Sequence, residues 1–199
     1  MSIGMKDSLE QTILNLFDDF IRYSYSDEYK HNIYLYNGWK SNSAYKINDN
    51  KLILPLSAYS SWSGRFNPTD YIFKRKLRDI EKVFNYLDNG RTQTKDDLDN
   101  ILKNVEDKEQ SKDIECKYFY LNCYKKGTTH FSWKDKDLIN KLNIFGSQKK
   151  GWLPPSYGKY KYDEMPIEEK DVINSFQGKE DYNKIFDNSI FNNIHTKGL

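Results

Sequence analysis

His130 is the side chain best suited to move a proton near neutral pH, and the sequence sets lysines and a thiol close to it. The run from Tyr118 to Trp133 holds two alternating segments around Lys126 and Gly127, the pattern of a β-hairpin. With Lys126 and Gly127 as a two-residue turn, Lys125 faces Thr128, Cys123 faces His130 and Leu121 faces Ser132, all on one face. In that register His130 could serve as the general base of a metal-independent nuclease. The 2′-hydroxyl of RNA would supply the nucleophile, and Lys125 would clamp the phosphate. A Cys123–His130 nucleophilic pair is a second reading, and a hydrogen-bonded structural histidine is the plain one. The sequence offers no second acid or base to complete a catalytic set.

The same register gives the other face Tyr118, Tyr120, Asn122, Tyr124, Thr129, Phe131 and Trp133. Such a surface either packs on a helix or stacks on bases. Lys74, Arg78 and Lys82 recur one helical turn apart, with Arg75 alongside, and could track a phosphate backbone. Asp79 and Glu81 dilute that field, so a solvated helix face is the simpler alternative. Lys125 and Lys126, and again Lys149 and Lys150, interleave with Trp133 and Trp152. Trp152, Tyr157, Tyr160 and Tyr162 form a proline-flanked aromatic strip that reads as a docking surface for a partner. His31, His130 and His195 are isolated, and Cys116 and Cys123 on one strand would point to opposite faces, so the expectation is no metal site and two free thiols. There is no phosphate-binding glycine loop and no dinucleotide fingerprint, and no cofactor is expected.

The elements that must carry these residues follow from periodicity. Ser8 and Gln11 have the form of a capping box, and Leu9, Ile13, Phe17, Phe20 and Ile21 share one face, predicting a helix over 8–24. Ala44 to Ile47 and Lys51 to Leu54 flank Asn48–Asn50 as a further hairpin. Pro68, Thr69 and Asp70 start a helix that ends at Gly90, with Phe73, Leu77, Ile80, Phe84 and Leu87 as its buried stripe. A polar helix is expected from about Thr94 to Glu106, a short one from Lys136 to Leu142 ending near Gly146, an extended segment from Gly151, and another short helix over 166–176. The fold class is therefore α+β, a small antiparallel sheet from two hairpins packed against helices.

A chain of 199 residues is long enough for one cored domain, here 1–199. Apolar residues are only 37% while aromatics reach 16%, so the core must draw on rings. Lys+Arg 31 against Asp+Glu 29 leaves +2, and any affinity for a polyanion must come from uneven charge. No apolar run approaches the ~18 residues of a membrane span, which points to the cytoplasm. Abundant Asn, Lys, Ile, Tyr and Asp fit an AT-rich genome.

Three stretches carry a likeness. Trp39 to Leu54 is similar to a family segment of a lysine, a serine, small polar residues, an aromatic and a strand pair. Leu77 to Asp88 is similar to a helix reading Asp-Ile-x-x-Val-Phe, and Lys117 to Trp133 with Asp137 to Asn143 is similar to a turn, a His and a helix ending in Leu-Asn. In this order, over about residues 37–156, the chain resembles an uncharacterised domain family of bacteria, phages and plasmids, found alone or fused behind adenine-specific DNA methyltransferase-like domains. His130 stands at the matching position, while Lys126 and Thr128 replace asparagines beside the turn glycine. Residues 157–199 would form a C-terminal arm. The resemblance implies a mobile-element setting and partners that are nucleic acid or a host nucleic-acid-processing protein. The leading expectation is a non-enzymatic binding module, in its specific form an anti-restriction or anti-CRISPR inhibitor; the alternatives are the His130 nuclease and a methyltransferase accessory subunit.

Overall fold

The computed structural model describes residues 3–24, 47, 49–93, 98–151, 153, 156–176 and 178–187. Among them are six helices and a four-stranded antiparallel sheet, an α+β architecture. Two compact units emerge, one from residues 1–47 with 140–199 and the other from 48–139.

The 48–139 unit holds the sheet. Strands β1 (Lys51–Leu54), β2 (Ile114–Glu115), β3 (Phe119–Tyr124) and β4 (Thr128–Trp133) lie in the order β1-β4-β3-β2. The strand β1 pairs with β4; of its expected partner Ala44–Ile47, residues 44–46 lie outside the described ones and Ile47 is in no strand. The β3–β4 hairpin forms, with a different register from the one the sequence suggested. Tyr124 pairs with Thr128, Cys123 with Thr129 and Asn122 with His130, leaving a three-residue turn, Lys125 to Gly127. Gly127 alone in that turn has positive φ, +88°, and its N–H donates to the Tyr124 carbonyl at 3.0 Å. A two-residue hairpin turn of either favoured type needs positive φ at its first central position, which here would be Lys126, and a lysine resists it. The slip turns the side chains of β4 over relative to β3.

The strongest sequence signal lies in α2 (Tyr71–Asn89), whose ends match their cues. The Asp70 carboxylate accepts from the N–H groups of Ile72 and Phe73, and Gly90 closes the helix in the left-handed region. Phe73, Leu77, Ile80, Phe84 and Leu87 are all buried. Phe84 meets the rings of Tyr118 and Trp133 edge-on at 5.9 and 5.4 Å, which sets α2 against the inner face of the sheet. Asn85 ties the same helix to its surroundings, accepting from Lys117 and Tyr118 and donating to the carbonyls of Arg91 and Gln93. Leu98, Leu102 and Val105 are the buried stripe of α3 (Leu98–Asp107); the expected start at Thr94 lies outside the described residues.

In the other unit, α1 (Ile3–Ser24) begins before the supposed cap, so Ser8 is interior to the helix and its carbonyl accepts from the Thr12 hydroxyl. Leu9, Ile13, Phe17, Phe20 and Ile21 are buried as expected. The helix α4 (Lys136–Lys149) runs through Gly146 instead of stopping there. A Cβ at Gly146 would lie 2.3 Å from the Phe17 ring, so this glycine serves close packing. Beyond it, α5 (Ile167–Phe176) and α6 (Lys179–Asp187) follow a 3₁₀ turn, Tyr162–Glu164. Tyr157, Met165, Ile173 and Tyr182 join Ile144 and Leu153 in a buried cluster. Among the described residues no helix is long and apolar enough to cross a membrane.

Candidate functional site

Alternation along the strands sorts their side chains by face. Phe119, Leu121, Cys123, Thr129, Phe131 and Trp133 are buried on the inner face. The outer face carries Lys51 and Ile53 from β1, Thr128, His130 and Ser132 from β4, Tyr120, Asn122 and Tyr124 from β3, and Glu115 from β2. Tyr120 is 40% exposed and Ile53 42%. The aromatic face expected from the sequence is thus divided: Tyr118, Phe131 and Trp133 enter the core, while Tyr120 and Tyr124 share the outer face with His130.

His130 packs against Tyr124 with ring centres 4.3 Å apart and planes tilted by 40°, between Ile53 and Asn122 in the register. Burial of the ring, then the charges of Lys51, Lys126 and Lys112, push the imidazole below its ordinary value of 6.5. The ring is therefore neutral at pH 7. Its Nε2 is buried and has no hydrogen-bond partner among the described residues. The ammonium of Lys112 lies 2.9 Å from the centre of the Tyr124 ring and that of Lys126 lies 5.9 Å from it. Tyr124 thus gathers two cations beside the histidine. Tyr120 has Lys134 4.7 Å from its ring centre, and Lys134 also bonds Glu115 at 2.6 Å, holding that carboxyl below its usual range.

The remaining sequence candidates fall elsewhere. Cys123 lies opposite Thr129, whose hydroxyl is 3.8 Å from its sulfur, so the register provides no Cys123–His130 pair. Burial raises the Cys123 thiol to about 11, and raises Cys116 as well, far from reactive thiolates. Cys116 precedes β3 and is in no strand, and both thiols are free. Lys125 lines a cleft, whereas the cations that act on His130 are Lys51, Lys126 and Lys112. On α2, Arg78 and Lys74 both reach Asp99 of α3, Lys74 at 3.7 Å; Arg75 lies 5.4 Å from the centre of the Tyr71 ring; Lys82 is half-buried. Lys149 and Lys150 pair with Glu10 and Asp18 at 2.8 and 2.7 Å. Of the aromatic strip, Tyr157 is fully buried, Tyr162 half-buried and Tyr160 exposed, while Trp152 lies outside the described residues. Sequence reasoning missed Lys51, Lys112 and Lys134. Lys51 gave one usable cue, its alternation with Ile53 on a strand; Lys112, in a charged linker, gave none.

Neither curated proteins nor solved structures give a match to the chain. A family model does match, over residues 3–152, which takes in α1 and leaves out most of the C-terminal segment. The chain belongs to the family described as a domain of unknown function, DUF4942.

Proposed function

We propose that the protein binds single-stranded nucleic acid across the outer face of its sheet. The observation that carries this reading is the cationic group around Tyr124 and His130. Lys112 and Lys126 lie over one tyrosine ring, neither has an acidic partner among the described residues, and the half-exposed Tyr120 stands on the same face. Lysines beside a neutral, under-bonded imidazole suit a phosphate, and an exposed ring on a sheet suits an unpaired base. A duplex buries its bases in the stack and would leave Tyr120 without a role.

A mobile-element protein with such a face could act against host defence by covering a strand that a host enzyme needs. As an accessory subunit it could instead hold a strand for a methyltransferase. Both would use this surface.

The test is titration of labelled oligothymidylate, oligouridylate and a DNA duplex at low and moderate salt. Single strands should bind more tightly than the duplex, and the Lys112→Ala, Lys126→Ala double variant should weaken binding and flatten its salt dependence. Absence of binding at low salt, or equal affinity for duplex, overturns the reading. Cleavage that survives a chelator and vanishes in His130→Ala would establish a nuclease in its place.

A further inference from the structure

Beside the β3–β4 turn opens a cleft of about 600 Å³, bounded by Leu56, Ser57, Ser60, Asn67, Ile72 and Lys125 among others. One wall comes from the loop that joins β1 to α2. That loop is cross-braced: Ser60 donates its N–H to the Arg65 carbonyl, Gly64 to Ser60 and Asn67 to Ala58, all within 2.9 Å, and the Tyr59 and Phe66 rings sit 5.4 Å apart. Gly64, at φ +65°, lets the loop close. At its tip, next to the lining residue Ser61 but not itself part of the lining, Trp62 is 97% exposed on a braced loop. Ordering a contact residue before binding lowers the entropy lost on association, and exposed tryptophans so held are common anchors.

The lining of the cleft carries one formal positive charge, Lys125, and one negative. Asp70 is the one acid among its lining residues, and that carboxylate already caps the first N–H groups of α2. Lys125 has no acidic partner among the described residues, and Arg65 lies on the loop that carries Trp62. The same turn serves both surfaces: Lys126 leans over Tyr124 on the outer face while Lys125 borders the cleft. A strand that follows the outer face toward the turn therefore reaches the cleft next.

We propose that the cleft takes one unstacked nucleotide of that strand, with Lys125 on its phosphate and Trp62 stacking on its base. The proposal rests on the binding reading above and adds a separate site to it. Its test is anisotropy of labelled oligothymidylate and oligouridylate with wild type, Trp62→Ala, Lys125→Gln and Tyr120→Ala, together with the indole emission of wild type against Trp62→Phe. Trp62→Ala should weaken binding about ten-fold with an unchanged melting temperature, and ligand-induced quenching should be lost in Trp62→Phe. If Tyr120→Ala weakens binding while Trp62→Ala and Lys125→Gln leave it unaltered, the cleft proposal falls and the sheet reading stands. If the reverse holds, the cleft stands and the sheet reading falls. Wild type that binds neither oligonucleotide overturns both.

Discussion

The two faces of the sheet are built from alternate residues of the same strands, yet they use rings in opposite ways. The inner face takes Phe119, Phe131 and Trp133, which stack and meet edge-on at 5.3 to 6.3 Å and are at most 8% exposed. The outer face takes Tyr120, Tyr124 and His130, rings that each carry a polar atom, and surrounds them with lysines. Phenyl groups there would be an aggregation hazard; phenols and an imidazole can stay in water and still offer a flat surface. Aromatic content alone therefore does not tell the two faces of the sheet apart; nor does a hydroxyl by itself keep a ring at the surface, since Tyr157 and Tyr182 are fully buried.

The largest effect that separates the faces is on stability. Phe131→Ala and Phe84→Ala each remove a buried ring at the junction of sheet and α2, and each should cost about 3–5 kcal/mol. Tyr120→Ala should change stability by less than about 1 kcal/mol and weaken single-strand binding about ten-fold. Denaturant melts of the three variants check the contrast; a Tyr120→Ala loss as large as that of Phe131→Ala would make the outer ring a core residue and end the distinction.

How much of this was legible follows from the range of each signal. The helix α2 was readable end to end because Asp70, Gly90 and its apolar stripe are all local cues. The hairpin was readable in place but not in register, since Lys126 and Gly127 mark a turn without giving its length, and only the backbone shows that Gly127 alone has positive φ. Pairing of β1 with β4 joins residues far apart in sequence, and β2 has too few residues to show alternation. Tyr157 read as a docking residue because prolines precede it; it is buried by contacts with the distant Tyr182, whose hydroxyl accepts from the Gly158 N–H and donates to the Tyr160 carbonyl. The candidate site was half legible. His130 and Lys126 announced themselves, while Lys112 reaches Tyr124 only through the fold.

A smaller effect compares cations. Lys74 and Arg78 share Asp99, so the α2 stripe carries less uncompensated charge than its spacing suggests, while Lys112 and Lys126 face rings. Exposed ion pairs and exposed cation–ring contacts each contribute little to stability, so neither set of alanine variants should shift the melt by more than about 1 kcal/mol. They should differ in binding. Lys112→Ala with Lys126→Ala should lower the slope of log affinity against log salt by about 0.7 for each lysine removed, and Lys74→Ala with Arg78→Ala should leave it nearly unchanged. Equal losses from both pairs would move the interface, or part of it, to α2.

The smallest expected effect is the pH dependence of His130, and its sign is fixed by the environment of the ring. In the free protein the imidazole titrates below 6.5 because burial and the charges of Lys51, Lys126 and Lys112 oppose protonation. The unfolded chain then binds the proton more readily, so this group's contribution to stability is present above about pH 6.5 and declines as the pH falls from there through the folded value. A phosphate placed against the same lysines reverses that opposition and raises the imidazole. Binding must then take up a proton, so single-strand affinity should rise as the solution is acidified below about pH 6.5. His130→Gln should abolish both trends while retaining most of the affinity at pH 7.5. Proton resonances of the His130 ring, followed through a pH titration with and without oligothymidylate, would read the shift at the site itself. An imidazole whose titration does not move when the strand binds places the phosphates away from Tyr124 and leaves Tyr120 as the centre of the interface.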